Sequence, residues 1–283
     1  MKTWLLMLRS YSRPLILVPV ALGSAAAWRQ GGFSWTDLAL TGTSALMAQT
    51  AAGLGQDYFR TRKAADRAGT PPPAGAARGH SLRNSPLTVV PGLLAAGTAI
   101  IFLLAFKNNI HALPWLAAAG FALAWLCTAT AFPRKHPVPG TAVFFLVFGP
   151  GIVCGAAFIQ SGSLIPEALW ASIPFGLLLL AVRQAGNIAA VKNLPADKFA
   201  PGAGAAKKKD TDFFQYALIF SPYVFSLTFG SIWPAVFCAL SVPLAVKISL
   251  LISKGDFPAL PKTTARLAAA YGLLLSAGLC VAG

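Results

Sequence analysis

Acidic residues are scarce in this sequence. Only 8 of its 283 residues are Asp or Glu, and charged residues make up 11% of the chain, against roughly 25% in soluble globular proteins. Because 56% of the residues are hydrophobic, this composition excludes an ordinary soluble protein and predicts an integral membrane protein. Chemistry that needs carboxylates must draw on these eight residues: Asp37, Asp57, Asp66, Glu167, Asp197, Asp210, Asp212 and Asp256.

Cysteine and histidine are also few. The cysteines lie in apolar stretches without CxxC or CxxH spacing, which predicts neither a disulfide framework nor a zinc site. The histidines fall on different predicted loops with no companion at ligand spacing, which disfavours a metal or general-base role. These residues are Cys127, Cys154, Cys238, Cys280, His80, His111 and His136.

Bases are in excess, with a formal net charge of +15. No RNA- or DNA-binding motif accompanies them, so we predict no nucleic-acid partner. A basic excess on a membrane protein is typical of its cytoplasmic loops and of contact with anionic lipid.

The apolar runs predict an all-α bundle of about nine transmembrane helices, because each run approaches the roughly 20 residues that a helix needs to cross the hydrocarbon. Arg9 and Arg13 interrupt the N-terminal apolar run, which favours an uncleaved first span over a signal peptide. The spans are approximately 14–30, 36–55, 86–106, 112–132, 139–160, 165–187, 212–231, 233–252 and 264–282.

Lysine and arginine predict the orientation, because they are retained on the cytoplasmic side. With a cytoplasmic N-terminus, all of the 23 bases except Arg29 and Lys107 fall in cytoplasmic segments. An odd number of spans then places the C-terminus outside, in a bacterial-type inner or plasma membrane. Residues 1–283 are predicted to form one domain, whose polar site lies on the cytoplasmic loops at about 56–85 and 188–211.

Four sequence runs resemble the UbiA-type intramembrane prenyltransferases, and especially their dihydroxynaphthoate polyprenyltransferase branch of menaquinone synthesis. The runs occur in the family's order over roughly residues 9–205. They are Ser12-Arg13-Pro14-Leu15 with Val18-Pro19-Val20-Ala21-Leu22-Gly23; Gln49 through Phe59; Phe148-Gly149-Pro150-Gly151 with Phe158-Ile159-Gln160-Ser161-Gly162; and Ser172-Ile173-Pro174-Phe175-Gly176 leading to Gly186-Asn187-Ile188.

The resemblance implies transfer of a polyprenyl group from a prenyl diphosphate to an aromatic quinone precursor within the membrane. In the family, two acidic motifs hold Mg²⁺ ions, which neutralise the diphosphate leaving group. The resemblance therefore implies Mg²⁺, a prenyl diphosphate and an aromatic acceptor as partners, together with membrane lipid.

The acids of both motifs are largely replaced in this chain. In the first motif, Asp57 and Asp66 are retained, Gln56 stands for Asn and Arg60 stands for Asp. The resemblance makes Asp57 and Asp66 the candidate catalytic and metal-binding residues. If one helix continues through both, they lie about 180° apart and do not share an ion. Asp57 has an alternative role as an ion-pair partner of nearby bases.

In the second motif, Asn187 and Ile188 match, but alanines occupy the positions of the Arg and the first Asp, and Asp197 aligns only after a shift of three residues. Arg183 lies one helical turn before Asn187. A magnesium site with two acidic clusters is therefore in doubt.

Bases replace the acids in a regular pattern. Gln56, Arg60, Lys63 and Arg67 recur at spacings of four, three and four, which places them on one helical face. The hypothesis is that these groups, with Arg183 and Asn187, bind the diphosphate in place of metal ions. The alternatives are that they are ordinary positive-inside residues, or that the chain is an inactive relative that binds an isoprenoid or anionic lipid.

Overall fold

The computed structural model describes residues 14–68, 86–128, 137–192 and 204–282, which are helical and contain no strand. A short 3₁₀ turn, Pro14–Ile16, leads into the first helix. The helices are α1 (Leu17–Trp28), α2 (Trp35–Ala68), α3 (Pro86–Lys107), α4 (Leu113–Thr128), α5 (Pro137–Leu146), α6 (Ile152–Ser161), α7 (Pro166–Lys192), α8 (Gly204–Ser226), α9 (Trp233–Ala239), α10 (Val242–Lys254) and α11 (Leu260–Val281).

Proline and glycine set many helix boundaries. Pro166, Pro243 and Pro261 stand in the first turn of their helices, where the missing N–H costs no helical hydrogen bond. Gly162 and Gly255 end α6 and α10 with φ of 70° and 75°, a conformation that favours glycine. Local sequence chemistry therefore explains where these helices begin and end.

Each predicted span coincides with helix in the described residues, and two spans are interrupted. The fifth contains a π-helical turn, Val147–Gly151, between α5 and α6; Pro150 has no N–H to donate, which favours such a break. The eighth consists of α9 and α10, bent by 44°. Four described helices are long and apolar enough to cross a membrane, or five with this bent pair. The nine-span count itself stays a prediction.

Helix α2 extends well beyond its predicted span. It runs for 34 residues to Ala68, about 51 Å at 1.5 Å per residue, whereas the hydrocarbon core is about 30 Å thick. The first part of the predicted loop 56–85 is therefore helical. In the predicted loop 188–211, α7 likewise continues to Lys192 and α8 starts at Gly204.

Contacts group the chain into two compact units. The first comprises residues 1–17 and 34–147, in which α2 packs along α3. At one end of this pair the buried Asp37 carboxylate accepts a 2.6 Å hydrogen bond from Lys107 Nζ. Further along, Ser44 Oγ donates to the Gly97 carbonyl at 3.1 Å. These polar contacts join α2 and α3 in addition to the apolar packing between them.

The second unit comprises residues 18–33 and 148–283. Helix α11 lies at its centre, packed on α7, α9 and α10, and its Tyr271 and Leu275 are fully buried. The Tyr271 hydroxyl donates to the Pro222 carbonyl of α8 at 2.8 Å. The tyrosine is therefore buried without an unsatisfied hydroxyl, as burial of a polar group requires.

Candidate functional site

The first predicted cluster lies on the extension of α2. Because α2 is continuous to Ala68, positions 56, 60, 63 and 67 fall on one helical face, as the sequence predicts. The side chains of Gln56, Arg60, Lys63 and Arg67 lie outside the described residues. Their contact with a diphosphate stays a prediction.

The same continuity bears on the two retained acids. Positions 57 and 66 are about 180° apart around α2 and about 13.5 Å apart along its axis. With this separation, Asp57 and Asp66 are predicted not to share one metal ion. In the parts of the chain whose side chains are described, no three His, Cys, Asp or Glu residues come together as a metal site. The motif acids Asp57, Asp66 and Asp197 lie outside that search, so the Mg²⁺ implied by the family resemblance stays a prediction.

The second predicted cluster lies near the end of α7. Arg183 is half-buried and Asn187, one turn later, is exposed. Ala189, at the position where the family motif has arginine, is buried with 8% of its surface exposed. This end of α7 thus presents a guanidinium and an amide at neighbouring turns, and it has no carboxylate between Arg183 and Lys192.

Helix α8 adds a polar residue that the sequence analysis missed. Gln215 is fully buried, and its Nε2 donates to the Ala181 carbonyl of α7 at 3.1 Å, two residues before Arg183. Its Oε1 has no hydrogen-bond partner among the described residues. The signal in the sequence is Asp212 and Gln215, two polar residues one turn apart at the start of an apolar span.

Parts of three of the four family-like runs meet within the second unit. A methyl group on Gly23 of α1 would overlap the Val153 carbonyl oxygen of α6 and lie 2.9 Å from Ala156 Cβ. A methyl group on Gly149 would lie 3.0 Å from Gly176 Cα of α7. These glycines allow close backbone contact between helices, which explains their place in the runs without a substrate role.

Gln160 also has a structural role. Its Nε2 donates to Ser24 Oγ of α1 at 3.2 Å, an interhelical hydrogen bond of the kind that membrane helices use. The amide therefore joins α6 to α1 in the same unit that contains the close glycine contacts.

Comparison with known proteins extends the resemblance from these runs to the whole chain. No protein-family model matches. The UbiA prenyltransferase domain-containing protein 1 of Xenopus tropicalis is 27% identical over 306 aligned residues, covering 99% of this chain and 82% of the relative. This chain resembles the UbiA prenyltransferase proteins along nearly its whole length. The corresponding homolog of Drosophila melanogaster is 25% identical, with 100% and 80% coverage.

A bacterial prenyltransferase is also similar to this chain. The 1,4-dihydroxy-2-naphthoate octaprenyltransferase of Escherichia coli K12 is 26% identical over 197 residues, covering 66% of this chain and 63% of the relative. These similarities confirm the predicted resemblance and the all-α, UbiA-like membrane fold. They also support a prenyltransferase kind of function for the UbiA-like chain.

Proposed function

We propose that this UbiA-like chain transfers a polyprenyl group from a prenyl diphosphate to an aromatic quinone precursor. The observation that carries the proposal is the similarity to UbiA relatives over 99% of the chain. The naphthoate octaprenyltransferase relative supports an aromatic acceptor of the quinone pathway. We place the reaction at the cytoplasmic face of a bacterial-type inner or plasma membrane, since most of the bases are predicted on that side.

In the proposed reaction, the bond between the allylic carbon and the diphosphate oxygen breaks, and the diphosphate leaves with the electron pair. The allylic cation is then attacked by an electron-rich aromatic ring, which forms the new carbon–carbon bond and loses a proton. The leaving group needs positive charge around its oxygens, because that charge stabilises the developing diphosphate anion.

The bases on α2 supply that charge in the proposal. Arg60 and Arg67 bind diphosphate oxygens through their planar guanidinium groups, Lys63 contributes a point charge, and Gln56 donates a hydrogen bond from its amide. Their shared face on one continuous helix supports this assignment.

The α7 cluster completes the proposed set. Arg183 binds the diphosphate, and Asn187 positions the substrate through its amide. The half-buried position of Arg183 supports the assignment, because partial exclusion of water strengthens a charge-assisted hydrogen bond.

Magnesium has a smaller part in this proposal than the family resemblance implies. The retained acids, Asp57 and Asp66, lie half a turn out of phase on α2. We therefore assign to the bases the charge neutralisation that Mg²⁺ would otherwise supply. Asp57 and Asp66 remain the candidate catalytic carboxylates, each acting separately.

The activity test uses membranes that contain the full chain, labelled prenyl diphosphates of several lengths, and aromatic acceptors that include 1,4-dihydroxy-2-naphthoate. We expect a labelled prenylated aromatic product that is absent from membranes lacking the chain. A complete lack of product with every donor and acceptor pair would contradict the proposal.

A second candidate function is binding without catalysis. It is favoured by the loss of the motif acids at Arg60, Ala189 and Ala190. In this case the protein would hold an isoprenoid or anionic lipid. Lipid extraction and mass spectrometry of the purified chain would then find one such lipid in stoichiometric amount, together with no product in the transfer assay.

A further inference from the structure

A cluster of bases lies at one end of the hairpin formed by α10 and α11. Lys247 and Lys254 are on α10, and Lys262 and Arg266 are on α11. The proposed diphosphate residues on α2 and α7 do not include any of them. Retention of bases on the cytoplasmic side accounts for charge at this end of the hairpin, but it does not account for Lys247 and Arg266 lying well inside their helices.

Three of these bases are open to the surroundings. Lys247, Lys254 and Arg266 are exposed, and none of them forms an ion pair with a described residue. Asp256, in the connecting turn, is the one acid between residues 242 and 281. The positive charge of the hairpin end is therefore not neutralised by its own helices.

The helix register places the bases at two depths. Gly255 closes α10 in a tight turn, where the Asp256 N–H donates to the Leu251 carbonyl at 3.0 Å, so α10 ends where α11 is about to begin. Lys254 lies at this end. Lys247 is about 10.5 Å further along α10, and Arg266 is about 9 Å into α11. Two of the exposed bases thus lie at similar depths along the two packed helices.

Exposed apolar side chains continue from the bases along α10. Val246 and Val242 are 48% and 37% exposed and lie farther from the turn than Lys247. They share the outward face with Lys247, since Ala245, Ile248 and Ile252 form the buried face. Leu250 lies between the levels of Lys247 and Lys254, and the exposed side chains farther from the turn than Lys247 are apolar. An amphiphile with an anionic head and an acyl chain has the same order of charge and apolar surface.

We propose that the α10–α11 end is a binding surface for an anionic phospholipid of the surrounding bilayer. Lys247 and Arg266 bind the headgroup phosphate, with arginine able to contact two phosphate oxygens at once. Lys254 adds charge at the outer edge, and one acyl chain lies along Val246 and Val242. The phospholipid bound there holds the hairpin at the membrane face at which α10 ends.

The test uses the purified full-length chain in detergent and native mass spectrometry with phosphatidylglycerol or phosphatidylcholine of identical acyl chains. We expect preferential retention of phosphatidylglycerol. Each base near a membrane surface typically strengthens anionic lipid binding about fivefold, so we expect Lys247→Gln with Arg266→Gln to weaken it roughly 5- to 25-fold. Arg29→Gln is the matched control, because Arg29 is exposed and lies on α1's flank, far along the chain from the hairpin.

Three outcomes would overturn the proposal. The first is equal retention of the two phospholipids by the unaltered chain. The second is a full preference for phosphatidylglycerol in the double variant, or an equal loss in Arg29→Gln. The third is displacement of the lipid by soluble glycerol phosphate or farnesyl diphosphate at matched concentration, since this would identify a site for free phosphate or for the substrate.

Discussion

Replacing a motif acid by Arg60 reverses the charge at one turn of α2. A carboxylate there would repel a diphosphate unless a metal ion lay between them, whereas a guanidinium binds its oxygens directly. Position 62, two residues later on the same continuous helix, is about 200° around the helix axis from position 60. The pair therefore separates a specific contact from general positive charge.

The first prediction compares Arg60→Ala with Arg62→Ala. Because one charge is lost in each, we expect the Arg60 variant to raise the KM for prenyl diphosphate at least tenfold, a loss of about 1.4 kcal/mol of binding. The Arg62 variant should change it less than threefold. Steady-state transfer rates at varied prenyl diphosphate concentration measure the difference, and equal effects of the two variants would show that only overall charge matters.

Gln215 offers a second prediction at the residue scale. Its Nε2 bond to the Ala181 carbonyl contributes about 0.6–1 kcal/mol, while the unpaired, buried Oε1 costs about 1–3 kcal/mol. We therefore expect Gln215→Met to leave the thermal midpoint of the detergent-purified protein unchanged or slightly raised.

The half-buried Gln184 provides the control for this measurement, as Gln184→Met should change the midpoint little. A fall of several degrees in Gln215→Met alone would contradict the expectation. It would mean that Oε1 has a hydrogen-bond donor in the functional protein.

At the scale of elements, helix packing depends on close backbone contacts at glycines. Gly23 on α1 lies against the Val153 carbonyl of α6, a backbone atom that cannot rotate away, whereas no atom lies within 4 Å of a methyl group placed on Gly155 of the same α6. We expect Gly23→Ala to destabilise the protein by about 1–3 kcal/mol through overpacking. Gly155→Ala should be neutral or stabilising by up to about 1 kcal/mol.

Thermal unfolding monitored by size-exclusion chromatography in detergent would compare these two variants. An unchanged midpoint in Gly23→Ala would contradict the tight α1–α6 packing. A similar loss in both variants would show that any added methyl group in these helices is harmful.

Sequence patterns predicted the position of the helices well, because the length of an apolar run reflects the thickness of the bilayer. They did not predict the extension of α2 to Ala68, since a charged helix beyond the membrane has no hydrophobic period to reveal it. They also missed the break between α9 and α10, where apolar residues continue through the bend. Gln215 escaped notice because its importance depends on a contact with α7 that is distant in the sequence.

The candidate site was predictable in part. The family resemblance and the spacing of the bases led to α2 and α7, and the structure adds that the α2 bases share one continuous helix. Which side chains touch the substrate depends on packing and on bound groups, and neither follows from spacing alone.

At the scale of the whole molecule, the prediction of nine spans implies that the two termini lie on opposite sides of the membrane. We expect green fluorescent protein fused after Gly283 to be dark in bacterial cells and alkaline phosphatase fused there to be active. Fusions after Lys192, which is predicted to be cytoplasmic, should give the opposite result. A bright C-terminal fusion would mean an even number of spans and would contradict the nine-span topology.

The most direct test of the central claim is prenyl transfer by membranes containing the chain, measured with and without EDTA. If the bases of α2 neutralise the diphosphate, labelled aromatic product should form in EDTA and should be lost in Arg60→Ala under the same conditions. Product that disappears on adding EDTA and returns with Mg²⁺, with Arg60→Ala as active as the unaltered chain, would contradict the account.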